Sequence, residues 1–136
     1  MNMLRRSAAV LALALLGLNA HARSGVPVAD FENMPAIAAS GQPASPAQIK
    51  AAIEAAAQHN GWTVTAPAPN HVVASLNVRG KHTVVTDIDY TPGKYSVKYK
   101  DSVNMNFDPS TRVIHPFYNK WVQGLVDAIR AEAVRR

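Results

Sequence analysis

One run constrains the fold more than any other part of the chain: HVVASLNVRGKHTVVTDIDYTPGKYSVKYK, residues 71–100. Apolar and polar residues alternate in it with the two-residue period of half-buried strands. Val72, Ala74, Leu76 and Val78 are even-numbered, and so are Val84, Ile88 and Tyr90. Even residues face even residues across a hairpin only when the loop is odd in length or carries a bulge. The loop near Arg79–His82 is therefore not a two-residue turn. Thr91-Pro92-Gly93-Lys94 obeys the opposite rule, because Pro and Gly at its centre predict a type II turn. That turn pairs Tyr90 with Tyr95, Ile88 with Val97 and Thr86 with Tyr99, and the core face continues as Tyr95, Val97 and Tyr99. Asp87 falls opposite Lys98, with Asp89 diagonal to it, and the same register carried further sets Val84 against Asp101.

A meander with one apolar face must be covered, and two amphipathic segments flank this one. Ser45, Pro46 and Gln48 form a helix start with a capping box, and Ile49, Ala52, Ile53, Ala56 and Ala57 make one stripe that Asn60-Gly61 ends. A second helix starts at Pro116 with His115 at the cap position. Its stripe is Trp121, Val122, Leu125, Ala128, Ile129 and Ala133. Gly124 interrupts that helix and marks a close backbone approach. Trp62–Thr65 predicts a short strand ended by Pro67 and Pro69. Val103, Met105 and Phe107 extend the core alternation, Asp108–Thr111 turns the chain, and Arg112–Ile114 pairs back. The expected fold is α+β: a two-layer sandwich, an antiparallel meander of about four or five strands covered on one face by an N-terminal and a C-terminal helix.

The first residues speak to compartment. Arg5 and Arg6 precede the apolar run SAAVLALALLGL, which is too short to span a membrane, and Ala20-His21-Ala22 offers a cleavage site. The expectation is a cleavable Sec-type signal at 1–22, cut after Ala22, with the protein periplasmic or secreted. Residues 23–44 are rich in Pro, Ala, Gly and Ser with no clear period. They read as a flexible linker, or as an arm that lays Val26, Val28 and Phe31 on a single domain at 45–136. No later stretch approaches a membrane-spanning length, so no transmembrane segment is expected in the mature chain. With no cysteine in the sequence, thiolate catalysis, disulfides, cysteine-ligated zinc and a lipid anchor on a lipobox cysteine are excluded. The net charge of +5 is spread among acids, and no nucleic-acid partner is expected.

The pieces GW (61–62), ASLNVRGKHTVVTDIDY (74–90), YSVKYKDSVNM (95–105) and IHPFYNKW (114–121) together resemble a group of small exported proteins and lipoproteins of Gram-negative bacteria. That group carries a similar GW…R..H…I.Y…Y.I.Y.DS.NL…IH..YN.W pattern. The likeness covers nearly the whole chain after the signal. Met105 stands where leucine is usual, and the acylated cysteine of the lipoprotein members is absent. The resemblance implies export, and no catalytic role carries over from it, because the group has no established activity.

The candidate functional residues cluster late in the chain. His59, His71, His82 and His115 show no tight metal-ligand spacing, so no metal site or cofactor is expected. His59 suits the end of the first helix and His71 opens a strand after a Pro-rich loop. Arg79 and His82 flank the first hairpin loop, where His82 either closes the core by hydrogen-bonding a carbonyl or pairs with Asp101 and Ser102 for nucleophilic chemistry. No nucleophile elbow accompanies that trio. Asp101, Ser102, Asn104, His115, Tyr118 and Asn119 sit where a strand ends and a helix begins, as a latch for orphan backbone groups or as a binding site. Tyr90, Tyr95 and Tyr99 fall on the core side. On the outer face Val73 and Val85 hint at a covering arm or an added strand. The leading expectation is a non-enzymatic module that binds an envelope protein or peptide. The alternative is a small hydrolase or metal-dependent enzyme using His82, Asp101, Ser102 and His115.

Overall fold

The computed structural model describes residues 25–136. The expected signal and its cleavage site lie outside the described residues. The rest is α+β, with a five-stranded antiparallel sheet, a separate two-stranded pair and two helices. In chain order the elements are β1 (Val26–Pro27), β2 (Phe31–Pro35), α1 (Pro46–His59), β3 (Thr63–Ala68), β4 (His71–Val78), β5 (His82–Thr91), β6 (Lys94–Val103), β7 (Val113–Ile114) and α2 (Pro116–Ala133). The large sheet runs β2-β6-β5-β4-β3, so β3 to β6 form a consecutive meander and β2 joins its far edge.

The parity argument holds along the whole first hairpin. Val72 pairs with Ile88, Ala74 with Thr86, Leu76 with Val84 and Val78 with His82, leaving the odd loop 79–81. Arg79 and Gly80 both take positive φ there, 58° and 69°. The second hairpin pairs Tyr90 with Tyr95, Ile88 with Val97, Thr86 with Tyr99 and Asp87 with Lys98, as its turn requires. Beyond Thr86 the expected register fails. Val85 pairs with Asp101 and Val84 with Ser102, so Lys100 is an extra residue in β6. A bulge of this kind shifts every later residue by one face. Val84 therefore meets Ser102 rather than Asp101, and Val103 is turned outward to 59% exposure instead of extending the core. Asn104 and Asn106, at φ 60° and 53°, then break the strand while Met105 is still buried.

The segment read as a linker contributes structure from Gly25 onward. β1 pairs with β7, and β2 pairs with β6 through Phe31↔Val97 and Met34↔Tyr95. Ala36, Ala38 and Ala44 are fully or almost fully buried, and Val28, Phe31 and Met34 pack on the core. Its two-residue period is broken by Asn33, whose φ of 53° belongs to an irregularity in β2, and Pro35 is tolerated because β2 is an edge strand. The ordered domain thus begins before Ser45.

Both helices start as their caps dictate. Ser45 Oγ accepts from Gln48 N–H while the Gln48 side chain accepts from Ser45 N–H. The α1 stripe Ile49, Ala52, Ile53, Ala56 and Ala57 is buried. In α2 the buried residues are Tyr118, Val122, Leu125, Val126, Ile129, Glu132 and Ala133. Trp121 and Ala128, expected in that stripe, are only half-buried, because the stripe is rotated toward Tyr118. A Cβ at Gly124 would meet no atom within 4 Å outside its own helix among the described residues, so Gly124 marks open space and not a close approach. Residues of both helices and of the even positions in β4 and β5 form one hydrophobic cluster. Each large aliphatic side chain buried there contributes on the order of 1.5–3 kcal/mol.

Candidate functional site

The residues singled out from the sequence come together at the end of the sheet that carries the 79–81 loop, and most of their polar groups are used internally. His82 Nδ1 donates to the Asn104 carbonyl at 2.9 Å, and Asn104 Nδ2 donates to the Lys81 carbonyl at 3.2 Å. These bonds tie the hairpin loop to the end of β6. Asp101 Oδ1 accepts from its neighbour Ser102 N–H at 2.8 Å, and the Ser102 hydroxyl shares a 2.7 Å bond with Tyr99 OH. Asp101 and Ser102, as consecutive strand residues, face opposite sides of the sheet, and among the described residues no hydrogen bond joins His82 to either, so the three form no relay. His115 caps α2, its Nδ1 accepting from Phe117 N–H at 3.0 Å while its own N–H donates to the Met105 carbonyl at 2.9 Å. Asn119 clamps the N-terminal segment, accepting from Ala29 N–H at 2.9 Å and donating to the Pro27 carbonyl at 3.0 Å. Arg79 is exposed on the loop tip.

Tyr118 is the exception. It is completely buried, and its hydroxyl has no hydrogen-bond partner among the described residues. The Tyr99 ring meets it edge-on at 5.5 Å and stacks on Phe107 at 4.2 Å. Burial pushes the Tyr118 hydroxyl well above its ordinary pKa of 10.0, with a smaller contribution from Asp30. Tyr95, donating to the Val126 carbonyl at 2.9 Å, is likewise pushed up by burial, to about 12.

The outer sheet face carries a different cluster. His71 lies between two carboxylates, its Nδ1 2.7 Å from Asp89 and its Nε2 3.1 Å from Asp87, with Lys100 Nζ 3.7 Å from Asp87. Lys98 turns instead to Glu32 of β2 at 2.9 Å. That exposed pair lowers the Glu32 pKa and raises that of Lys98, mainly through their mutual hydrogen bond, and contributes little in water. No group of three or more His, Cys, Asp or Glu among the described residues is arranged to hold a metal ion.

Sequence reasoning missed two features at the loop end. The first is a row of rings running from the start of α2 to β5. His115 and Phe117 are 4.8 Å apart, Phe117 and Trp121 5.7 Å, Trp121 and His82 6.4 Å. Phe117 is 47% exposed, and Lys120 Nζ stands 5.5 Å from its ring centre. The second is a hollow of about 220 Å³ lined by Asn60, Trp62, Leu76, Lys120, Trp121, Gly124 and Leu125. A further hollow of about 190 Å³ lies among Asn33, Asp89, Tyr90, Thr91, Lys94, Tyr95 and Ser96. Neither is lined by Arg79, His82, Asp101 or His115. The signal that could have found the row was the i, i+4 spacing of Phe117 and Trp121 beside a cap histidine.

Among the described residues no helix is long and apolar enough to cross a membrane. Comparison with protein-family models, with curated proteins and with solved structures finds no match for this chain.

Proposed function

We propose that the chain is an exported, non-enzymatic binding module of the Gram-negative cell envelope, and that the ring row His115–Phe117–Trp121–His82 is its contact surface for an envelope protein or peptide. The carrying observation is Phe117, a large apolar ring left nearly half exposed beside other aromatic rings. Exposed aromatic groups of this kind dominate the energetics of protein contacts, because a rigid ring buries a large area at little cost in conformational freedom. The charged signal start, the apolar run after it and the resemblance to exported proteins support the compartment. The reading takes α1 and α2 as one layer over the even-numbered sheet face, which leaves the start of α2 at the rim. It needs no reaction, and His82 Nδ1 and the Ser102 hydroxyl are both taken up by bonds inside the molecule.

Two experiments test it. Fractionation of cells expressing the full chain is expected to yield a periplasmic product beginning at Arg23, and a cytoplasmic, uncut product overturns the compartment. Capture from envelope extract with the tagged wild type should retain a partner that Phe117→Ala loses while keeping its melting temperature. An identical set of captured proteins for both forms sinks the contact surface.

A further inference from the structure

The hollow beside the ring row has an unusual lining. The chain has two tryptophans, Trp62 and Trp121, and both line it. Trp62 is only 5% exposed, yet its indole N–H has no acceptor among the described residues and is not cut off from solvent. A buried indole normally finds a partner for that donor. The Trp121 N–H also lacks an acceptor there. No acid lines the hollow, and Lys120, on its lining, holds its Nζ 5.5 Å from the Phe117 ring centre, within a side-chain rotation of the opening. The lining thus offers two indole N–H donors and a cation with no competing carboxylate, while Leu76, Leu125 and the indole rings supply apolar walls.

Gly124 adds a second, independent observation. A glycine inside a helix weakens it, and nothing approaches this one closely enough to require a missing side chain. Its position on the lining means that any larger residue would occupy the hollow. The glycine keeps the space open.

We infer that this hollow binds a small apolar carboxylate: an apolar ring between the indoles, its carboxylate accepting from the indole N–H groups and facing Lys120. The size fits, since a cavity of about 150 Å³ takes a benzene ring, and about 220 Å³ leaves room for an acidic substituent. Such a group exists as a free organic acid and as the C-terminal residue of a polypeptide. The inference rests on the binding reading only in taking this end of the molecule as the working end.

The test uses the purified full mature chain, whose tryptophan fluorescence and two indole N–H signals in an NMR spectrum report on both tryptophans of the lining. Titration with phenylacetate is expected to shift both signals, with half-saturation near or below about 1 mM. Neutral phenylacetamide should bind at least tenfold more weakly. Gly124→Leu should weaken phenylacetate at least tenfold while holding or raising the melting temperature. Lys120→Gln should abolish the difference between acid and amide. A peptide ending in phenylalanine, free or amidated at its C-terminus, separates the two sources: preference for the free peptide over phenylacetate assigns a chain terminus, and equal binding assigns a small acid. Unmoved indole signals at saturating phenylacetate and free peptide overturn the inference, as does equal binding of acid and amide, or full binding by Gly124→Leu. Because the titration needs no envelope partner, its failure leaves the Phe117 contact surface standing, and a failed capture beside shifted wild-type indole signals leaves the hollow standing.

Discussion

The two ends of the sheet are built from similar residues and finished differently. At the end holding the 91–94 turn, the segment 36–44 closes over the strands. Ala36 N–H donates to the Gly93 carbonyl at 2.9 Å, and Gly93 N–H donates to the Ala44 carbonyl at 2.8 Å. Tyr90 and Tyr95 are buried there, and Tyr95 spends its hydroxyl on a helix carbonyl. At the end holding the 79–81 loop, hydrogen bonds tie the backbone together, but Phe117, Trp121 and the Trp62 N–H keep access to solvent. Backbone groups must be satisfied at both ends. The 91–94 end adds a cover bonded through its backbone, whereas the 79–81 end leaves the Phe117 ring 47% exposed.

The largest effect is expected from breaking the closed end. Gly93 sits at φ 77°, and a Cβ there would lie 2.9 Å from Pro43 Cβ. Gly93→Val combines left-handed strain with overpacking and should cost about 2–4 kcal/mol in urea unfolding. A cost within about 0.5 kcal/mol would show that the 36–44 cover contributes little. Next comes Asn119→Ala, which removes two bonds to the segment at 27–29 and should cost about 1–2 kcal/mol.

The two buried tyrosines sharpen the contrast. Tyr95→Phe gives up a made bond and should destabilise by about 1 kcal/mol, while Tyr118→Phe deletes an unsatisfied hydroxyl and should be neutral or stabilising. If both lose stability equally, Tyr118 has a partner in solution. The same residues set an alkaline limit. The fold holds them neutral, with Tyr95 raised from 10.0 to about 12, so their contribution is full below about pH 10 and is lost as pH rises toward 12. Thermal unfolding from pH 9 to 12 should show that decline, and the Tyr95→Phe, Tyr118→Phe double variant should show less of it. The smallest effect belongs to the open end: Phe117→Ala should change stability by no more than about 0.5 kcal/mol, so that any loss of binding there is not a loss of fold.

Much of the fold was legible because its signals are local. Turn chemistry at Pro92-Gly93, parity around Gly80 and the caps at Ser45 and His115 act over a few residues, and the structure follows them there. The candidate site was legible only in part. The sequence placed the polar residues of 101–119 at one junction but could not show which bonds they make, because those bonds reach from Asn119 to residues 27 and 29 and from His82 to Asn104. The Lys100 bulge was invisible, since a bulge is chosen by competition between two strands rather than by either alone.

By itself, then, the sequence determined the element types from Ser45 onward, the hairpin registers next to each turn and the absence of cysteine chemistry. Tertiary structure alone decided that the Pro- and Ala-rich segment closes one end, that His82 bonds to Asn104 and not to Asp101 or Ser102, that Tyr118 is buried with its hydroxyl unpaired among the described residues, and that two tryptophans and a helix glycine line one open hollow. The physical reason is range. Periodicity and capping are energies of neighbours in sequence, whereas burial and hydrogen-bond satisfaction are settled by groups the chain brings together from as far apart as Pro27 and Asn119.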